Sequence, residues 1–261
     1  MYGIAKQRQQ RLVVSNSWGM YSFSAIDGTS LASQALNHYA DSGVVLVTSA
    51  GNNGDATMHL EMHFAGNDTT RSVATYYPGD GGQMLIGWGE PGEQFQFGFG
   101  IAANAYADVV NGPFFSTADD IGYQEGYLLV GNDTVHYNVM TEPANVCNGR
   151  PHILLKVERV GNCQLHFFCT ADSGTTVHAW NINYLRRHES NVGMNFYTGG
   201  RSGYVAGDYN YGIGEPACAE KSIAVAAHGA GRYNSDSVWT PGSHAYFTSY
   251  GPVLGGGVKP D

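Results

Sequence analysis

The stretch "GVVLVTSAGNNG", residues 43–54, decides how the first part of the chain folds. Its first half is a run of β-branched and aliphatic residues, and its second half is a turn of glycine and asparagine. A short apolar run bounded by turn residues is typical of a buried strand. We therefore predict a strand over 44–48 that ends directly in a tight loop.

The segment before this strand, "SLASQALNHYAD" at 30–41, predicts a helix. Its apolar residues recur at helical spacing, at Leu31, Ala35, Leu36 and Tyr39. Thr29 or Ser30 can cap its N-terminus, and Gly43 can end it.

Two further apolar runs flank this pair of elements. "LVVS" at 12–15 ends in the turn "NSWGM", and a third run at 222–227 follows the turn that begins "GEPACAE". The order strand, helix, strand over about 40 residues is the βαβ unit of a parallel sheet, with a right-handed crossover. The outer parts of the chain therefore predict a parallel sheet with helices.

The sequence between about 57 and 209 has a different residue pattern. Short alternating or β-branched runs such as "EQFQFGF" and "HILLKVERV" are separated by Gly, Asn, Asp and Pro, which is typical of an antiparallel sandwich. The predicted fold class is α/β, a partial parallel sheet with helices, interrupted by an inserted all-β sandwich of jelly-roll type. The predicted domains are 1–56 and 208–261 for the α/β part and 57–207 for the insertion.

Composition limits the possible partners. The chain of 261 residues has a formal net charge of −9, which disfavours nucleic acid, and no apolar run is long enough for a membrane span. Its charged fraction of 13% is low, and with the many glycines and aromatics it favours a secreted, cell-surface or periplasmic β-protein. Cys147 could pair with Cys163 or Cys169, or all four cysteines could be buried thiols. The cysteine spacing predicts no metal site.

Four segments, in order, resemble the subtilisin family of serine endopeptidases. They are "VVSNSWG" at 13–19, "GVVLVTSAGNNG" at 43–54, "GEPACAEKSIAVAA" at 214–227 and "FTSYGPVLGGGVKPD" at 247–261. The resemblance covers residues 1–56 and 208–261. The central segment takes no part in it, except as an insertion.

The resemblance implies one half of a peptide-cleaving site. Asn52 would donate from its side-chain amide to the oxyanion that forms during peptide-bond hydrolysis, although an ordinary Asn-Gly turn would look the same in isolation. The implied substrate pocket consists of small residues and one tryptophan: Ser17, Trp18, Gly19, Ser49, Ala50, Gly51 and Gly214. Small residues there imply an apolar or aromatic preference, while Trp18 is as well explained by packing.

The stretch "AIDGTSLAS" at 25–33 looks like the beginning of the family's nucleophile motif, but Ser30 precedes both Asn52 and the Lys-Pro-Asp sequence. In the family the nucleophile follows both, so we interpret Ser30 as a helix cap. The aspartate and histidine motifs of the triad are also absent. The resemblance therefore implies a piece of a longer endopeptidase that is inactive alone.

The expected partner is a peptide or protein substrate of the longer protein, and no cofactor is expected. A partial sheet would leave an open edge and a bare face, so we expect self-association. The alternative is a non-catalytic protease homologue whose β-sandwich insertion binds protein or glycan.

Overall fold

A computed structural model describes residues 1–261 except 22–25, 67, 77–80, 159–160 and 186–189. The two helices are α1 (Tyr2–Gln7) and α2 (Leu31–Asp41). The strands are β1 (Val13–Asn16), β2 (Val45–Ser49), β3 (His59–His63), β4 (Thr69–Ala74), β5 (Gly81–Gly89), β6 (Phe95–Ala102), β7 (Val110–Ser116), β8 (Gly122–Val130), β9 (Asp133–Glu142), β10 (His152–Glu158), β11 (Gln164–Ala171), β12 (Thr176–Leu185), β13 (Ser190–Gly193), β14 (Phe196–Tyr197), β15 (Ile223–Val225), β16 (Arg232–Tyr233) and β17 (Trp239–Thr240).

The chain forms two compact units. The first consists of Met1–Asp55 together with Tyr209–Asp261, and the second is Ala56–Asp208. In the part of the chain that the structure describes, no helix is both long and apolar enough to cross a bilayer.

The first unit contains a three-stranded parallel sheet in the order β1-β2-β15. Asn16 pairs with Thr48, which in turn pairs with Ala224. Helix α2 connects β1 to β2, and Ser30 is its N-cap: the Ser30 Oγ accepts a hydrogen bond from the Ser33 amide at 3.0 Å. The interpretation of Ser30 as a helix cap is confirmed, and the hydroxyl satisfies one of the free amides at the helix start.

The second unit is a sandwich of two antiparallel sheets. One has seven strands, in the order β13-β12-β5-β10-β9-β8 with β3 also paired to β12, and the other has five, in the order β14-β4-β11-β6-β7. Alternate residues of both sheets meet in one buried cluster, in which Phe97, Phe99 and Phe167 of the smaller sheet pack with Leu85 and Leu155 of the larger one. Two inner faces that interdigitate in this way form the core of a sandwich.

The predicted α/β fold class is wrong. The described residues are about 42% strand and 7% helix, with several antiparallel sheets, so the fold is β-rich. The physical reason is that most of the described strands lie in the second unit and pair antiparallel with one another, whereas the parallel sheet has three short strands. The helix α1, which has no buried residue, was not expected from the sequence.

Candidate functional site

The candidate site lies at one edge of the parallel sheet of the first unit. Because β1, β2 and β15 run in the same direction and in register, their carboxyl ends meet at the same edge. Ligands of open parallel sheets bind outside the carboxyl ends of the strands. Residues 17–19 leave this edge after β1, and residues 50–52 leave it after β2.

The turn after β2 is fixed by the neighbouring backbone. The Ala50 amide donates to the Val225 carbonyl at 3.0 Å, and the Ser249 amide donates to the Gly51 carbonyl at 3.0 Å. Gly51 has φ +110°, and a Cβ there would lie 2.8 Å from the Ser249 Oγ. Glycine is therefore required at this position by both its conformation and the close approach of Ser249.

Asn53 fixes the other side of the turn. Its amide donates to the Ser249 Oγ at 3.0 Å, and its side-chain Nδ2 donates to the Tyr21 hydroxyl at 2.7 Å. The Tyr21 hydroxyl donates in turn to the Gly212 carbonyl at 2.6 Å. Burial of Tyr21 raises the pKa of its hydroxyl, so it stays protonated and keeps donating at ordinary pH.

Asn52 lies between these fixed neighbours, and its side chain is exposed. Within the described residues it makes no side-chain hydrogen bond. The amide of Asn52 is therefore an unused donor and acceptor on a turn whose backbone is held from both sides. Such an amide can donate to an oxygen that gains negative charge beside the sheet edge.

The segment after β1 is also exposed at this edge. Ser17, Trp18 and Gly19 are all exposed, and Trp18 keeps 52% of its surface accessible. Directly after them, Met20 and Glu215 exchange two backbone hydrogen bonds of 3.0 Å, which bring residues 17–20 beside residues 214–215. Of the eight predicted site residues, the structure thus brings the segments 17–19, 49–52 and 214 into the same unit and around the same strands.

Gly214 has a clear packing role. It is buried, and a Cβ at this position would lie 2.6 Å from the Met20 carbonyl oxygen and 3.1 Å from the Tyr21 ring. Only glycine allows the two backbones to approach this closely. Its role as a pocket floor stays a prediction.

A buried carboxylate near this site was not found from the sequence. Glu215 accepts hydrogen bonds from the hydroxyls of Ser30 and Ser33, the latter at 3.0 and 3.1 Å. The Ser30 hydroxyl therefore serves both the helix amide and this carboxylate, which leaves it in a structural role. In the sequence, Glu215 stands out only as the glutamate before the proline in "GEPACAE". This local pattern does not indicate that its carboxylate binds the hydroxyls of Ser30 and Ser33.

The second unit contains the histidine-rich stretch "HLEMH", which is the strand β3. His59 Nδ1 lies 3.0 Å from the carboxylate of Asp208, and His59 Nε2 lies 3.0 Å from His178 Nδ1. Among the residues with described positions, no three His, Cys, Asp or Glu side chains are arranged to hold a metal ion. The four cysteines form no disulfide.

No protein-family model and no curated protein matches the chain. Among solved structures, the chain is similar to the Clostridium perfringens CspB protease, with a TM-score of 0.64 and 14% sequence identity. The match covers 100% of this chain and 49% of that protease, so this chain spans about half its length. At this identity the likeness concerns the fold alone.

The identification with the subtilisin family is wrong on these findings. No family model supports it, and the described residues contain no subtilisin-like α/β core. The four matching segments are short, and they correspond here to the strands β1, β2 and β15 and to loops. Local motifs of this kind specify turns and strand ends, and they do not by themselves define a whole core.

Proposed function

We propose that this chain is part of a longer endopeptidase and that its first unit binds the substrate backbone and stabilises the oxyanion. The single observation that carries the proposal is Asn52: its amide is exposed and unused, on a turn held by buried hydrogen bonds at the carboxyl edge of a parallel sheet. The similarity in fold to the CspB protease, which covers about half of that protein's length, is consistent with the proposal.

The proposed chemistry is acyl transfer at a peptide bond. When a nucleophile attacks the scissile carbonyl, its oxygen becomes an oxyanion, and the Nδ2 of Asn52 donates a hydrogen bond to it. A donor that is fixed before the reaction stabilises this charge without reorganisation, because its backbone is already held by Ser249 and Val225. The nucleophile and its base come from elsewhere in the longer protein, since Ser30 is bound to Ser33 and Glu215.

The substrate is proposed to lie along the exposed segment 17–19. An extended peptide can add to a free strand edge by backbone hydrogen bonds, and pockets for alternate side chains then give specificity. The exposed indole of Trp18 is the large apolar surface of this segment, so we propose a preference for an apolar or aromatic side chain beside it. A peptide or protein is the proposed partner, outside the cytosol.

The test is Asn52→Leu in the full-length protein that contains this chain. Leucine keeps the branching at Cγ but has no donor, so kcat for peptide hydrolysis should fall by about 100- to 1,000-fold while KM changes little. The matched control is Asn132→Leu, which changes an exposed asparagine in the turn between β8 and β9 and should leave kcat unchanged. An unchanged kcat for Asn52→Leu, with the variant folded by circular dichroism, would contradict the proposal.

The chain of residues 1–261 alone provides a second arm of the same experiment. It should neither hydrolyse casein nor react with a fluorophosphonate probe, because its Ser30 hydroxyl is bound in the structure. Labelling of Ser30 by the probe would show instead that this chain carries its own nucleophile.

A second candidate function is a binding module in the insertion. It is favoured by one observation, a polar cavity on the sandwich of the second unit.

A further inference from the structure

We infer that the sandwich of residues 56–208 carries a binding site for a neutral sugar ring. The site is a cavity of about 360 Å³ at one end of the five-stranded sheet. Six polar side chains line it: Gln94, Gln96, Ser116, Asp119, Thr170 and Asp172. This inference is independent of the peptidase proposal, because every lining residue belongs to the second unit.

The cavity lies on the outer face of the sheet. Gln96 pairs with Ser116 on β7 and with Thr170 on β11, so these three side chains form one row across three strands. Phe95 and Phe97, on either side of Gln96, are buried in the sandwich core. Because side chains alternate along a strand, the row of polar side chains must point away from the core.

Hydrogen bonds hold the turn after β7, which forms one side of the cavity. The Ser116 amide donates to the Asp120 carboxylate at 2.8 Å, and the Ser116 Oγ accepts from the amides of Ala118 and Asp119. The turn after β7 is also bonded to β6, since the Thr117 amide donates to the Phe95 carbonyl at 3.0 Å. A ligand would therefore meet a preformed surface, as most small-molecule sites provide.

Several polar groups in the cavity have free hydrogen-bonding capacity. The hydroxyl of Thr117 donates to the Gln94 Oε1, which fixes that amide and leaves its Nε2 as a donor. The side chains of Gln96 and Asp172 are exposed and make no hydrogen bond to the described residues. The Asp119 carboxylate uses one oxygen to accept from the Ser116 hydroxyl at 3.2 Å and keeps the other.

This combination of groups selects the class of ligand. Two carboxylates accept hydrogen bonds from hydroxyl groups, and two amides both donate and accept, which suits the adjacent hydroxyls and ring oxygen of a sugar. No lysine or arginine is among the described residues that line the cavity, so phosphates and acidic sugars would meet uncompensated negative charge.

An aromatic surface continues the site along the same face. Phe114 lies two residues before Ser116, and a Cβ at Gly98 would lie 2.8 Å from its ring, so the ring covers Gly98. The ring also stacks against Phe168 at a centroid distance of 6.1 Å and stays 41% exposed. A flat apolar ring beside polar groups can hold the apolar face of a sugar while the hydroxyls are bound.

The experiment is an amide chemical-shift titration of the chain of residues 1–261 with methyl glycosides of glucose, galactose and mannose, in EDTA. We expect at least one glycoside to bind at millimolar or lower concentration and to shift amides of 94–96, 116–119 and 170–172. N-acetylneuraminic acid and N-acetyl-lysine amide are the charged comparison probes, and neither should shift these amides.

Two variants with matched controls complete the test. Asp172→Asn should weaken glycoside binding by about tenfold, since it removes the negative charge and replaces one acceptor oxygen with a donor. Gln96→Ala should have an effect of the same size, since it removes an amide that donates and accepts. Asp133→Asn changes the exposed first residue of β9, Asn132→Ala changes an exposed residue in the turn before it, and both should leave binding unchanged. Binding of the lysine probe alone, no shift with any glycoside, or equal binding to all four variants would overturn the inference.

Discussion

Tyr21 shows how one buried side chain fixes the turn that presents Asn52. Its hydroxyl accepts from the Asn53 side chain and donates to the Gly212 carbonyl, so it links two loops that are far apart in the sequence. The same residue packs its ring against Gly214. The position of the exposed amide therefore depends on a hydroxyl that the substrate would never touch.

Tyr21→Phe should destabilise the chain by about 1–3 kcal/mol, because Asn53 loses the acceptor of its side-chain amide and Gly212 loses its donor in a buried place. The measurement is the free energy of unfolding by urea. Tyr233→Phe is the control: its side chain is exposed, so its effect should stay within about 0.5 kcal/mol. Equal stability of Tyr21→Phe and the wild type would show that the hydroxyl does not hold the turn.

The sequence predicts the residues of this site better than their contacts. The order of Asn52, Gly51 and Ala50 after an apolar run indicates a turn at a strand end, because turn chemistry is local. The bond between Asn53 and Tyr21 and the carboxylate of Glu215 under Ser30 depend on chain segments more than 30 and 180 residues apart. No local pattern encodes such pairs.

At the scale of elements, helix α2 and the three strands of the parallel sheet lie within two residues of their predicted positions. Strands predicted at 12–15, 44–48 and 222–227 correspond to β1, β2 and β15, and α2 begins after its predicted cap. Apolar periodicity and capping are local signals and carry this information. The stretch "HLEMH" is also a strand, and its pairing with β12 decides its conformation.

Strand β12 also carries a pH-sensitive group. His178 on β12 faces His59 on β3: the His178 Nδ1 lies 3.0 Å from the His59 Nε2, and the His59 Nδ1 lies 3.0 Å from the Asp208 carboxylate. Burial lowers the pKa of His178 to about 3, with the neighbouring His59 adding to the effect. The folded protein therefore holds this imidazole neutral at pH values where the unfolded chain protonates it.

The stability of the chain should consequently fall as the pH decreases from about 6.5 towards about 3, by up to about 1.4 kcal/mol per pH unit from this histidine. The sign follows because the unfolded state binds the extra proton throughout this window. His178→Asn keeps a donor for His59 without a titrating ring, and should reduce the slope of unfolding free energy against pH. His136→Asn, at an exposed position, should leave the slope unchanged, and a slope equal in both variants would contradict this assignment.

At the scale of the whole molecule, the fold class could not be read from the elements. The segments predicted as parallel strands form only a three-stranded sheet, while β3 to β14 form the two larger antiparallel sheets. Class depends on how many strands pair in each direction, and that is set by long-range contacts such as those among Phe97, Phe167 and Leu155. The short motifs that support the α/β prediction lie in the first unit. The second unit contains most of the strands, and it therefore determines the fold class.

The parallel sheet of the first unit has an apolar face that the structure leaves open. Val13 pairs with Val45, and Ile223 and Val225 lie on the same side of β15; their exposed fractions are 63%, 44%, 45% and 49%. Contiguous exposed apolar surface of this kind mediates association. We propose that two copies of the chain of residues 1–261 associate through this face.

Sedimentation velocity over a range of concentrations should therefore show a dimer of residues 1–261 that becomes more abundant as concentration rises. The double variant Val45→Thr and Ile223→Thr keeps β-branched side chains suited to strands but adds hydroxyls, so it should shift the chain to the monomer. Val146→Thr alters a single exposed valine of the second unit and should leave the dimer intact. A wild-type chain that stays monomeric at the highest concentration, or a double variant that dimerises equally well, would show that this face does not bind a second copy.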